Sequence, residues 1–172
     1  DQMATFLLRL LDKVGIELPE APEDGFGDDD GGTHEDAINR LAAAGLIGGT
    51  SDGEYSPREA VSRGQMASLL IRIVQHAQGA ELPDGADYFA DDDGSTHEDA
   101  INRAARAGLS TGRKAGRYVP GAKLTRAQAA TFLARALDLL AESGVDPDGG
   151  EPNAPDADDE AALRDAPASD SA

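Results

Sequence analysis

Two arginines stand at the first position of predicted helices, where a positive charge is locally unfavourable. Arg63 follows Ser62 in the sequence SRGQ, and Arg126 follows Thr125 in the sequence TRAQ. A cation there opposes the helix dipole at a cost of ~0.3–1 kcal/mol, so a placement made twice indicates a compensating partner. One alternative is an ion pair with an acidic residue. The other is an anion site built from the guanidinium and free helix N–H groups.

Two acidic triplets, Asp28–Asp30 and Asp91–Asp93, have the side chains of a calcium loop without its spacing. An EF-hand loop alternates its oxygen ligands and has a glycine at position six and a glutamate at position twelve. We therefore expect these carboxylates to cap helices, to be solvated and to pair with arginine, and calcium binding is the alternative. The sequence assigns no metal site and no cofactor.

His34 and His97 stand at the start of two other predicted helices. A zinc site needs three or four converging ligands, and the chain has no cysteine to contribute. Neither histidine has a partner nucleophile at a recognisable catalytic spacing. We expect both to be exposed residues of a first helical turn.

Tyr55 and Tyr118 occupy matched positions in two loops, each two residues before a proline. Their rings either pack beneath the loops or offer a flat surface to a sugar. Packing is the favoured alternative, because matched aromatic residues in repeats usually fill equivalent spaces. Phe26 and Phe89 are expected to be core residues for the same reason.

All of these residues recur because the chain repeats itself. Residues 28–40 read DDDGGTHEDAINR, residues 91–103 read DDDGSTHEDAINR, and the offset between them is 63 residues. Such a period is the signature of a repeat architecture. The same offset maps Met66 to Met3, and it predicts that the residue preceding Asp1 in the full-length protein is arginine.

Each repeat is predicted to contain two helices joined by a long loop. The first helix begins at THED with Thr33 or Thr96 as its N-cap, and it ends at a left-handed Gly45 or Gly108. The second helix begins with a capping box and is apolar on most sides, which is typical of a helix buried by its neighbours. We expect three such helices to form a central bundle, at residues 2–13, 65–77 and 128–140.

The predicted fold is therefore mainly α, with tandem two-helix repeats around a pseudo-threefold three-helix bundle with long loops. One repeat cannot cover its own apolar helix, so neighbouring repeats must pack together. The final segment is acidic, rich in proline and alanine and without periodicity, which favours disorder. We expect the following division: the terminal helix of an incomplete first repeat at 1–14, a linker at 15–25, a repeat at 26–77, a linker at 78–88, a repeat at 89–141 and an acidic disordered tail at 142–172.

The composition excludes several partners. The net charge is −18, with 33 acidic and 15 basic residues, and binding to phosphate backbones or anionic membranes needs clustered cations. We therefore expect no nucleic-acid partner. No apolar stretch reaches the ~18–20 residues that a membrane span requires, so no membrane span is expected.

The landmarks, taken in order, resemble the S-layer homology domain, the module that fastens bacterial surface proteins to the cell wall. They are a Phe-x-Asp start, a helix that reads A-I-x-x-x-x-x-x-G-L, a loop that reads G-x-x-x-G-x-Y-x-P, and an [ST]-R-x-Q start to an apolar helix. The order occurs twice, and the likeness covers roughly residues 1–140. The sequence is similar to an actinobacterial-type variant of the family.

The resemblance implies three repeats in a pseudo-threefold assembly, with grooves that bind secondary cell-wall polysaccharide, often through a pyruvylated and hence anionic sugar. It implies that Arg63 and Arg126 meet the anionic group and that Asp28 and Asp91 accept sugar hydroxyls or orient the arginine. Two departures from the family pattern are visible. The motif glutamate is glutamine here, and the tryptophan that many members carry falls on threonine.

The resemblance implies a non-catalytic anchoring module at the cell wall or cell surface, extracellular and bound to a cell-wall polysaccharide or a peptidoglycan-linked glycan. Its ligand-binding residues are predicted to be Arg63, Arg126, Asp28, Asp91, Tyr55 and Tyr118. The alternative is a protein-docking or self-associating module of a surface layer that assembles through divalent cations. An enzyme is the remotest alternative, and any catalytic domain is expected to lie before Asp1.

Overall fold

The computed structural model describes residues 2–20, 24–50, 52–113 and 116–144, and within these ranges the chain forms five α-helices. Their bounds are α1 Gln2–Lys13, α2 Glu35–Ala43, α3 Arg63–Gln78, α4 Glu98–Arg106 and α5 Arg126–Glu142. The mainly α prediction is thereby confirmed. The predicted disordered tail lies outside the described residues, except for its first three.

The three most apolar helices, α1, α3 and α5, contact one another and form the predicted central bundle. Their facing side chains are buried, and burial of each such leucine or isoleucine contributes about 1.5–3 kcal/mol. The core includes Leu7 and Leu11 from α1, Leu70 and Ile73 from α3, and Ala136 and Leu140 from α5. The neighbouring repeats are thus held together by one shared core.

The first helix of each repeat packs on the second helix of the preceding repeat: α2 lies on α1, and α4 lies on α3. A hydrogen bond joins each pair. His34 Nδ1 lies 2.8 Å from Thr5 Oγ1, and His97 Nδ1 lies 2.9 Å from Ser68 Oγ. Both histidines are half-buried. The prediction that they are exposed was wrong, because they fasten one repeat to the next.

The starts of the bundle helices were predicted correctly. Ser62 Oγ accepts from Gln65 N at 3.2 Å and Gln65 Oε1 accepts from Ser62 N at 2.9 Å, which completes the capping box of α3. Thr125 and Gln128 form the same pair of bonds at α5, at 3.2 and 3.0 Å. These bonds satisfy helix N–H groups locally, so the sequence specifies them without help from the tertiary fold.

The starts of α2 and α4 differ from the prediction. Their N-cap residues are His34 and His97 rather than the two threonines, and neither makes a side-chain capping bond. Instead, the carboxylate at the first helical position reaches back to the preceding glycine turn. Glu35 Oε2 accepts from Gly31 N at 2.6 Å, and Glu98 Oε2 accepts from Gly94 N at 2.8 Å.

The ends of the same helices agree with the sequence. Gly45 and Gly108 have φ of +70° and +73°, a left-handed conformation that glycine adopts without steric cost. The leucines that follow them, Leu46 and Leu109, are 4% and 0% exposed. Each helix therefore ends in a turn that returns the chain to the core. No helix in the described part of the chain is long and apolar enough to cross a membrane.

Candidate functional site

Arg63 lies in the interface between the two repeats, with 5% of its surface exposed. Its Nε donates to Tyr118 O at 2.9 Å, and its Nη2 donates to Thr111 O at 3.0 Å. The guanidinium lies 4.5 Å above the Tyr118 ring and 5.7 Å from the Phe132 ring. Burial lowers the pKa of Arg63 from its usual value, and nearby Arg113 lowers it further. The compensating partners are thus backbone carbonyls and rings of the next repeat.

The backbone at the start of α3 is also occupied by the following repeat. Arg63 N donates to Ala122 O and Gly64 N donates to Pro120 O, both at 2.9 Å. The free N–H groups that the predicted anion site requires are therefore absent at this helix start. Here the guanidinium and the helix N–H groups join two repeats.

Tyr118 has no exposed surface. Its hydroxyl accepts from Ser110 Oγ at 3.1 Å and donates to Arg63 O at 3.2 Å, and its ring centroid lies 5.3 Å from that of Phe89. Burial raises the pKa of this hydroxyl above its usual value. Of the two alternatives for Tyr118, the structure shows packing, since a fully buried ring is not available to a sugar.

Tyr55 occupies the matched position and is only half-buried. Its ring packs 5.6 Å from Phe26, and burial, with a further contribution from Asp29, raises the pKa of its hydroxyl to about 12. In the described part of the chain no arginine covers this ring. The position that corresponds to Arg63 at the repeat offset precedes Asp1, so the partial exposure of Tyr55 describes the residues from Asp1 onward alone.

Asp91 fixes the loop that carries Tyr118. Its carboxylate accepts from Tyr118 N at 2.6 Å and from Val119 N at 2.9 Å, and it lies 3.4 Å from Arg117 Nε. Burial alone would raise the pKa of Asp91, but these donors outweigh it and lower the pKa. Val119 has φ of +61°, which is strained for a β-branched residue, and the Asp91 carboxylate holds its N–H in place.

Asp28 repeats this arrangement in the preceding loop. Its two carboxylate oxygens accept from Tyr55 N at 2.8 Å and from Ser56 N at 2.7 Å. Ser56 has φ of +58°, matching the left-handed residue of the other loop. The aspartate of each Phe-x-Asp motif thus holds a tyrosine loop of its own repeat.

Arg126 has a different environment from Arg63. It is exposed, and among the described residues neither its backbone N–H nor that of Ala127 has an acceptor. It lines a groove of about 780 Å³ between α1, α5 and residues 57–61, which we call the α5 groove. Phe6 of α1 lies in the same groove and is 39% exposed. Among the described residues, the start of α5 therefore lacks the neighbouring loop that covers the start of α3.

A second opening lies between α1, α3 and the Tyr55 loop, and we call it the α1–α3 cleft. Its volume is about 480 Å³. Its lining includes Gln65, Arg72 and His97, none of which was predicted to bind a ligand. Burial, and then the charge of Arg72, lowers the pKa of His97. The signal for Arg72 was its recurrence at the repeat offset, as Arg9 and Arg135.

The six predicted residues do not form one site. Arg63, Asp91 and Tyr118 meet at the junction between the repeats. Asp28 and Tyr55 meet beside the α1–α3 cleft, and Arg126 stands apart in the α5 groove.

The middle aspartates of the two acidic triplets are buried, which the sequence did not indicate. Asp29 is 5% exposed and Asp92 is 1% exposed, and among the described residues their carboxylate oxygens have no hydrogen-bond partner. Burial raises the pKa of both carboxyls above the usual value. The expectation that these side chains cap helices, are solvated or pair with arginine was wrong for Asp29 and Asp92.

Comparison with known proteins agrees with this architecture. The family model of the S-layer homology domain matches residues 26–67 and 88–130, which begin close to Phe26 and Phe89 and run into the two bundle helices α3 and α5. The chain belongs to the S-layer homology domain family and carries two of its repeats.

Relatives with curated names lie among bacterial surface proteins. A surface-layer 125 kDa protein of Lysinibacillus sphaericus is 28% identical over 114 residues, which is 66% of this chain and 9% of that protein. The S-layer protein sap of Bacillus anthracis is 27% identical over 129 residues, 73% of this chain and 14% of the relative. An endoglucanase of a Bacillus strain is 29% identical over 103 residues, 58% of this chain and 11% of the relative. The chain therefore spans about a tenth of the length of these proteins.

The family defines the general role. S-layer homology domains are non-catalytic modules that attach to cell-wall polymers, and membership indicates a cell-surface, wall-associated protein. The chain is thus a cell-surface anchoring or surface-layer module.

Proposed function

We propose that this module binds a cell-wall polysaccharide in the grooves between its repeats. The observation that carries the proposal is the start of α5, where the exposed Arg126 guanidinium lies beside two helix N–H groups without acceptors in the described part of the chain. A guanidinium together with a helix N-terminus favours an anionic group such as a carboxylate. Arg126 is therefore the proposed contact for the charged group of the glycan.

The α1–α3 cleft supplies the second proposed contact surface. It combines the Tyr55 ring with the Arg72 side chain and polar groups from α3. An aromatic ring with nearby hydrogen-bonding groups suits a sugar, whose faces are apolar and whose edges are polar. Tyr55 would stack on a sugar ring and Arg72 would bind its oxygens.

The other predicted residues are proposed to act through the loops. Asp28 and Asp91 hold the tyrosine loops through backbone N–H groups, and Arg63 and Tyr118 lock the two repeats together. They position the binding surfaces, and the glycan itself contacts Tyr55, Arg72 and Arg126.

A second candidate function is self-association in a surface layer. The apolar side of the α5 groove, with Phe6 exposed beside Met3 and Leu133, favours a second copy of this chain as the occupant. The names of two relatives, a surface-layer protein and an S-layer protein, support the same candidate.

Co-sedimentation with purified wall sacculi separates the two candidates. We expect the chain to sediment with intact sacculi and to stay in solution with sacculi whose secondary polysaccharide has been removed. Arg72→Ala is expected to weaken binding about tenfold, which corresponds to about 1.4 kcal/mol. Arg135→Ala is the matched control, because Arg135 has the equivalent position on α5 and does not line the cleft.

Sedimentation velocity on the free chain measures its oligomeric state and so tests the self-association candidate. Monomers that bind intact sacculi support wall anchoring. Oligomers that do not bind sacculi, and that dissociate when Phe6 is replaced by aspartate, would overturn wall anchoring in favour of self-association.

A further inference from the structure

We propose that each repeat binds one calcium ion in the turn that precedes its first helix. The ligands are the carboxylates of Asp24, Asp29 and Asp30 in one repeat and of Asp87, Asp92 and Asp93 in the other. This inference goes beyond wall binding, because it assigns a metal site to residues that have no part in the proposed glycan contacts.

The carboxylates of each cluster are close enough to share one ion. In both clusters, one carboxylate oxygen from each of the three aspartates lies within 4.8 Å of the corresponding oxygens of the other two. Calcium binds its oxygen ligands at about 2.3–2.6 Å, so two oxygens on the same ion lie at most about 5 Å apart. The observed spacing fits that limit without rearrangement of the turn.

The buried aspartates provide an independent indication of a ligand. Asp29 and Asp92 are at least nine-tenths buried, and among the described residues their carboxylate oxygens have no hydrogen-bond partner. Buried charges in proteins are normally paired or coordinate a metal. The same unpartnered carboxylate recurs at the repeat offset, which argues for a requirement in both copies.

The ligand set selects calcium among the common metal ions. Both clusters consist of hard carboxylate oxygens, without the imidazole or thiolate ligands that zinc prefers. Magnesium usually keeps several waters and takes only one or two carboxylates in octahedral geometry. Three carboxylates in one turn, with backbone oxygen and water to complete the shell, suit calcium.

The sequence did not reveal this site because the third ligand lies outside the triplet. Asp24 and Asp87 precede Asp29 and Asp92 by five residues, across Phe26 and Phe89. The fold brings each of them back over the turn, which differs from the spacing of an EF-hand loop. The adjacent Asp28 and Asp91 hold the tyrosine loops, so a bound ion would also stabilise the surfaces proposed for the glycan.

Titration calorimetry of the chelator-treated chain with calcium chloride tests the proposal directly. We expect two calcium ions per chain, one ion for Asp92→Asn, and two for the matched control Asp138→Asn, which removes an exposed carboxylate from α5. Asp87→Asn changes an exposed ligand and is expected to lose one ion with little effect on folding. No binding at millimolar calcium, or two ions bound by both ligand variants, would overturn the site.

Thermal unfolding with and without calcium distinguishes a metal ligand from an aspartate that has only a structural role. Asp92→Asn is expected to raise the Tm of the ion-free chain, because it removes an unpartnered buried charge, and to reduce the rise in Tm caused by calcium. A lower Tm in ion-free solution with an unchanged response to calcium would contradict the proposal. Magnesium that binds as tightly as calcium would contradict the choice of ion. Neither measurement uses sacculi, so a failure of the calcium proposal would leave the test of wall binding unaffected.

Discussion

The start of α3 and the start of α5 share one motif and have opposite environments. In both helices an arginine directly follows the N-cap residue, and the N-cap residue forms a capping box with the glutamine three positions on. At α3 the arginine is 5% exposed, its N–H groups meet carbonyls of the next repeat, and His97 packs against Gly64, where an added Cβ would lie 2.8 Å from the imidazole. At α5 the arginine is exposed, and among the described residues its backbone N–H has no acceptor.

The environment of a repeated residue depends on the neighbouring repeat. Arg63 has the loop of the following repeat, with Thr111 and Tyr118, against its guanidinium. Arg126 has no equivalent loop within the described residues. The same guanidinium therefore joins two repeats at α3, whereas at α5 no described residue occupies the equivalent place.

The largest expected effect is that of Arg63→Ala on stability. The substitution leaves the carbonyls of Tyr118 and Thr111 without their donor in a buried interface, and it removes the cation over the Tyr118 ring. We expect a loss of about 2–4 kcal/mol in the free energy of unfolding, measured in urea.

The control for this prediction is Arg126→Ala, which is expected to change stability by less than about 0.5 kcal/mol because its side chain is exposed. Equal losses for the two variants would remove the contrast between the two helix starts. Arg63→Lys keeps the charge but loses one of the two contacts with the carbonyls of Tyr118 and Thr111. Its loss in the free energy of unfolding is therefore expected to be intermediate.

A smaller effect is expected from His97, which covers the start of α3. Burial and then Arg72 lower the pKa of this imidazole below its usual 6.5, so the folded protein disfavours its protonation. The unfolded chain takes up the proton first as the pH falls. The stabilising contribution of neutral His97 is therefore present above about pH 6.5 and declines as the pH falls from there through the folded pKa.

The measurement is the Tm of the wild type and of His97→Gln across pH 5–8. Below about pH 6.5 we expect the Tm of the wild type to fall relative to that of the variant. The corresponding loss in the free energy of unfolding is expected to be smaller than the loss for Arg63→Ala. A constant difference across that range would show that protonation of His97 does not weaken the start of α3.

Local interactions account for what the sequence predicted well. The capping boxes at Ser62 and Thr125, the left-handed Gly45 and Gly108, and the apolar bundle helices each depend on residues a few positions apart. The period of 63 residues then required the repeats to share a core. These features could be derived without knowledge of the tertiary contacts.

Tertiary contacts account for what the sequence missed. Arg63 and Arg126 are indistinguishable in the motif, and only the packing of the neighbouring loop separates them. The burial of Asp29 and Asp92 depends on the path of the turn, and a run of three aspartates gives no sign of which one faces inward. The sequence can therefore indicate which polar residues lie near a junction between repeats. Whether each of them is buried or exposed can be learned only from the three-dimensional structure.

Binding of the Arg126→Ala variant to purified wall sacculi tests whether the start of α5 holds the wall glycan. We expect an apparent Kd at least about tenfold weaker than that of the wild type, at an unchanged Tm, because the start of α5 loses its exposed guanidinium without loss of packing. Wild-type retention on the sacculi by Arg126→Ala would contradict the claim that this helix start holds the wall glycan.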